Sequence, residues 1–114
     1  MSVLKVINLE EGFPTVEQAR QKMLRELDVA RRSGSKGVKL IHGYGSTGVG
    51  GEIRIAIGST LQQMKQRGEL SAVVYGEDWA VNDGETWALI KRYPALKQDG
   101  DLNRKNRGIT IVFF

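Results

Sequence analysis

Val38-Lys39-Leu40-Ile41-His42-Gly43-Tyr44-Gly45-Ser46-Thr47-Gly48-Val49-Gly50-Gly51-Glu52-Ile53-Arg54 is the stretch on which the fold turns. Its first four residues are apolar or β-branched around one lysine, a short run that reads as a strand. His42 opens ten residues of which half are glycine, at 43, 45, 48, 50 and 51. Residues 53–64 satisfy two patterns. Ile53, Ile55 and Ile57 alternate as in a strand, while Ile53, Ala56, Ile57, Thr60, Leu61 and Met64 share one helical face. The helical pattern holds its register to Met64 and closes at Gly68, too long for an ordinary strand, so a helix is expected. Glu52 suits the positive end of its dipole, and Gly58 is expected where a neighbour packs close. A strand, a glycine loop and a helix in series make an α/β unit.

The same unit precedes it. Residues 3–9 read as a strand, and Glu10-Glu11-Gly12-Phe13-Pro14 as a loop. Thr15 with Gln18 forms a capping box, in which each side chain accepts from the other's backbone N–H. Val16, Ala19, Met23, Leu27 and Ala30 then mark one helical face until Ser33-Gly34-Ser35. Downstream, Ala72-Val73-Val74-Tyr75 reads as a third strand. Asn82-Asp83-Gly84-Glu85 caps a short helix that Pro94 stops near Tyr93, and residues 98–108 form a polar loop. Ile109 to Phe114 is apolar at nearly every position, as in a central strand covered on both faces. The order βαβαβ(α)β implies a two-layer α/β sandwich, two main helices on a four-stranded mixed sheet. One domain over 1–114 is expected, with an acidic elaboration at about 77–101.

The chain has no cysteine, which excludes disulfides, thiolate metal sites and cysteine nucleophiles. No apolar run approaches a membrane span, and the start lacks the plan of a signal peptide, so the expected location is cytoplasmic. Net charge is +4. Residues 77–101 carry six acids against three bases, a local −3 that leaves +7 on the remainder. An acidic segment is thus grafted on a basic body, a balance that suits a polyanion partner or a simply solvated surface. Trp79, Trp87 and Tyr93 lie in that segment and are expected to form a small satellite core.

Glycines free backbone N–H groups to turn toward one point, and a helix start after them adds unpaired donors and partial positive charge. Phosphate is the natural guest of such a loop. A Walker motif is excluded, since the loop ends Gly50-Gly51-Glu52 without Lys-Ser/Thr. Gly43-Tyr44-Gly45-Ser46-Thr47-Gly48 has the spacing of a dinucleotide fingerprint but comes after the second strand of a short domain, not the first of a doubly wound sheet. The candidate phosphate ligands are His42 and the amides of Gly43, Gly45 and Gly48. His42, the sole histidine, suits phosphate binding or acid–base work, and cannot make a zinc site alone. Glu10 or Glu11 would stand across from it if strands 1 and 2 are parallel neighbours. Arg104, Lys105 and Arg107, with Arg54 and Lys39, are candidates for backbone phosphates, and Tyr44 for stacking on a base.

His42-Gly43-Tyr44-Gly45, with a helix after it that opens Ile53-Arg54, resembles the histidine-glycine-any-glycine signature of the Smr (small MutS-related) family. Thr15-Val16-Glu17-Gln18-Ala19 resembles that family's first helix, and residues 103–112 its closing loop and strand. The resemblance covers 3–67 and 103–114. It implies an α/β sandwich similar to the C-terminal domain of translation initiation factor three, and DNA or RNA as partner, with several members cleaving it. It makes His42 and Glu10 the catalytic candidates, with magnesium implied only if the site cleaves and no other cofactor. The family's leucine-aspartate-leucine-histidine-glycine motif is altered: Asn8-Leu9-Glu10 stands where aspartate, leucine and histidine would be, and two extra residues precede Thr15. Two alternatives remain: a phosphorylated metabolite held at the same loop, or a protein-interaction module docking through its acidic segment. His42→Ala and Gly45→Val are expected to weaken nucleic-acid binding without unfolding. If the chain is such a docking module, deleting 77–101 would abolish its function while Gly45→Val would not matter.

Overall fold

The structure, a computed structural model, describes residues 3–44 and 49–114. Its strands are β1 (Leu4–Asn8), β2 (Gly37–Ile41), β3 (Ala72–Tyr75) and β4 (Ile109–Phe113), and its helices α1 (Val16–Arg32), α2 (Val49–Gln66) and α3 (Gly84–Arg92). The sheet order is β1-β2-β4-β3, with β1 and β2 parallel and β4 antiparallel to both its neighbours. This is the four-stranded mixed sheet expected from the sequence, and the terminal strand is central, all five residues buried.

Helix α1 begins as its sequence dictates. Thr15 Oγ1 accepts from the Gln18 amide at 3.1 Å, and the Gln18 side chain accepts from the Thr15 amide at 2.9 Å. Ala19, Met23, Leu27 and Ala30 are its buried stripe. Helix α2 starts at Val49, earlier than the pattern suggests, so Gly50 and Gly51 are helical and not loop. Glycine weakens a helix by about 1 kcal/mol per residue, and burial of Ile53, Ile57, Leu61 and Met64 outweighs it. Gly58 is not a point of close approach. A Cβ built there meets the Tyr75 side chain at ordinary contact distances, its hydroxyl at 3.5 Å and its ring from 3.7 Å.

Strand pleating sorts the core into two layers. Ile7, Val38, Leu40, Val73 and Val112 face α1 and α2. Ala72, Val74, Ile109, Ile111 and Phe113 face the other way, onto Trp79, Ile90 and Leu96. The acidic segment therefore supplies the cover for the sheet's second face, with a short 3₁₀ turn over Pro94–Gln98 beside α3. Tyr93 stacks on Phe113 with centroids 5.4 Å apart. Trp87 departs from expectation: it sits 42 % exposed on α3, outside that core.

Lys39 is not a phosphate ligand. Its position on β2 turns it to this second face, where its Nζ lies 2.6 Å from both Asp99 and Asp101. Burial pulls the lysine pKa down, but the hydrogen bonds to Asp101 and Asp99 prevail and leave it above its ordinary value. Asp99 also accepts from the Trp79 indole at 3.0 Å. Two acids of the acidic stretch are thus internal counterions. Among the described residues no helix is long and apolar enough to cross a membrane.

Candidate functional site

The register brings four chain segments to one edge of the sheet. β1 and β2 run parallel and end there, with Asn8 paired to Ile41. β4 starts there, Ile109 opposite Ile41, and β3 ends there, Tyr75 opposite Thr110. Glu10, His42–Tyr44, the 103–108 loop and Gly76–Glu77 consequently share this edge.

His42 has the parity of Val38 and Leu40, so its ring lies on the face that α1 and α2 cover, and it is fully buried. Its Nδ1 is 2.5 Å from the Gly43 carbonyl and its Nε2 is 2.9 Å from Thr110 Oγ1. A carbonyl only accepts, so Nδ1 carries the proton; in the neutral ring Nε2 then accepts from the Thr110 hydroxyl. Burial, chiefly, pushes the imidazole pKa down; the Gly43 carbonyl opposes this, the Arg54 charge adds to it, and the Ile109 backbone and the Glu10 charge oppose it. The imidazole is a neutral tie between the end of β2 and β4. The amides of His42 and Gly43 both donate to the Gly108 carbonyl, at 2.9 and 3.0 Å. Neither ring nitrogen and neither amide is left for an anion. Gly45 and Gly48 lie outside the described residues.

Gly43 has φ +72°, and a Cβ there would stand 3.1 Å from the Glu10 carboxylate. The left-handed backbone favours glycine here, and a side chain would also have to displace the Glu10 carboxylate by a few tenths of an ångström. This contact decides between the paired acids. Glu10 lies against the His42 turn with its own amide bonded to Asn8 Oδ1 at 2.9 Å, whereas Glu11 turns to Lys22. Arg54, in the early turns of α2, reaches Glu77 at 2.6 Å. It also borders a groove of about 310 Å³ with Ile55, Gly58, Ser59, Gln62 and Tyr75.

Tyr44 is exposed, and its ring meets Gly108, where a Cβ would be 3.6 Å from Cδ1. The loop carrying Arg104, Lys105 and Arg107 therefore abuts the His42 turn. These three side chains are exposed and make no ion pair among the described residues. Asn106 fixes the loop: its amide donates to Asp101 at 3.0 Å, and its Oδ1 accepts from the Gly108 amide at 2.9 Å. Gly76 was not singled out by its sequence context, yet a Cβ there would collide with the Asn106 carbonyl. Thr110 was also missed, being hidden in an otherwise apolar strand. Among the described residues no three His, Asp or Glu side chains converge to hold a metal, so no step is drawn through magnesium.

The Smr domain family model matches residues 11–91, about seven-tenths of the chain. The matched span takes in α1, the glycine loop, α2, β3 and much of the acidic stretch. No curated protein and no solved structure matches the chain.

Proposed function

The chain belongs to the Smr domain family, and from that premise we propose that it binds DNA or RNA at the sheet edge where the His42 turn meets the 103–108 loop. The family is generally nucleic-acid binding, with endonuclease-like members. One observation carries the reading. Gly108, at the end of the loop that carries Arg104, Lys105 and Arg107, packs on Gly43 and the exposed Tyr44, and those three cations make no ion pair among the described residues. Cations neutralise phosphates and aromatic faces stack on bases, the two contacts that hold single strands. Arg54 adds a guanidinium whose five donors are not exhausted by Glu77. Gly45 and Gly48 would contribute amides, a part of the reading that rests on sequence alone. The role of His42 is to brace this edge as a neutral tie, with Glu10, which makes no ion pair among the described residues, as the acid or base if the site cleaves. We read residues 1–114 as one domain.

Binding of labelled DNA and RNA across a salt series tests this. Replacing Arg104, Lys105 and Arg107 together by alanine should lower affinity and reduce the slope of log K against log salt by about 2–3. An unchanged slope places the phosphates elsewhere. Incubating supercoiled DNA and structured RNA with magnesium then asks about cleavage; cutting that persists in Glu10→Gln removes Glu10 from that role.

The groove beside Arg54 favours a second reading, a free phosphorylated metabolite. Its binding would respond weakly to salt and would survive the triple substitution.

A further inference from the structure

Phe13 stands out from every other apolar side chain described. It is fully exposed, more so than Ile55 or Tyr44, and gives the core nothing. Its backbone is also costly. Phe13 has φ +50°, a left-handed conformation that bulky residues rarely adopt. Pro14 comes next, and a residue before proline is steered to extended backbone. The preceding Gly12 is left-handed too, at φ +79°, with open space around it. The Phe13 amide donates to the Glu10 carbonyl at 3.2 Å, so this turn is folded onto Glu10. Glu10 in turn touches Gly43, next to Tyr44. Two exposed aromatic residues, Phe13 after β1 and Tyr44 after β2, therefore follow the paired strand ends at this edge, each just after a left-handed glycine.

Strain held without local benefit marks a position kept for contact with something else. The same edge carries Arg104, Lys105 and Arg107, so the partner there is a polyanion, which disfavours a purely apolar one. We infer that Phe13 is a base-stacking platform, paired with Tyr44, that selects unpaired bases over continuous duplex. Duplex bases are already stacked on each other and offer no free face to a ring at the surface, whereas every unpaired base has one. The inference rests on the nucleic-acid reading above.

Anisotropy titrations with a labelled single strand and a fully paired duplex test it. Phe13→Ala should weaken single-strand binding by about 5- to 100-fold, change duplex binding less than twofold, and leave the salt slope as in the wild type. Phe13→Trp should restore single-strand affinity. Phe13→Asn, which tolerates the left-handed backbone, should melt at a higher temperature than the wild type while binding as weakly as Phe13→Ala. A single-strand affinity unaltered in Phe13→Ala overturns the inference and assigns the ring to a protein contact. Equal losses on both probes overturn the selectivity. A wild type that binds neither probe overturns the parent reading as well, so the two failures are told apart.

Discussion

The residue on which most turns is His42. A histidine opening a glycine loop invites a direct chemical role, and the sequence contained the position but not the direction of its ring. That direction is set by Thr110, the one hydroxyl on an otherwise apolar strand, and by Gly108, whose carbonyl takes both neighbouring amides. The structure therefore revises the expectation that His42→Ala leaves the fold intact. Removing the ring opens a buried cavity and strands the Thr110 hydroxyl, for a loss of about 2–4 kcal/mol. Urea denaturation should show it before any binding assay is read. The lowered pKa has an outcome of its own. The unfolded histidine takes a proton near 6.5 and the folded one resists it to lower pH. The unfolded state thus binds more protons between those values, and stability falls as pH drops below about 6.5. A urea midpoint that holds steady from pH 7.5 to the mid-fives, or a decline equally steep in His42→Gln, would show that the buried imidazole is not its source.

At the scale of elements, local chemistry and tertiary packing make separable contributions. The capping box at Thr15 is local: Thr15→Ala should cost about 1 kcal/mol, read as a lower melting temperature. Gly58 lies within α2, and a methyl there would meet the Tyr75 side chain only at ordinary contact distance, so Gly58→Ala should stabilise by about 0.5–1 kcal/mol. A loss instead would mean that the Tyr75 side chain cannot yield. These cases show why the elements were legible. Thr15 and Gln18, the Ala19-to-Ala30 stripe, Asp83 and Pro94 each act within a few residues, and each stands where its chemistry implies. The start of α2 was not legible, because Gly50 and Gly51 argue locally against helix and only burial of Ile53 and Ile57 overrides them. The candidate site was legible in its parts, Glu10, the His42 turn and the basic loop. Their convergence comes from register. What sequence does not carry is which polar groups meet: Arg54 with Glu77, or Gly76 against Asn106.

For the whole molecule, the decisive question is whether residues 77–101 are an appendage or a layer. A charge of −3 on a basic chain invites the first view, on which deletion would abolish the function of a docking module. The structure argues the second. Trp79, Ile90 and Leu96 are fully buried on the sheet, and Asp99 with Asp101 neutralises Lys39 beneath them. Deleting the segment should therefore unfold the chain, and its loss of function would say nothing about docking. A gentler test keeps the layer and removes its cation. Lys39→Met leaves two carboxylates without their counterion, at a cost of about 2–4 kcal/mol, below that of a wholly buried pair because Asp101 keeps some contact with water. The sign of the pH dependence identifies the cause. Burial raises the Asp101 pKa, but hydrogen bonds from Lys39 and Asn106 outweigh it and hold it below 3.8. That stabilisation is present above 3.8 and is lost as pH falls through the folded value. The Lys39 contribution, its pKa raised, is complete below 10.5 and lost only above it. The gap in urea midpoint between wild type and Lys39→Met should thus be widest near neutrality and should narrow toward pH 3. A gap of constant width would mean that the lysine stem, packed as hydrocarbon, and not its charge, secures the second layer to the sheet.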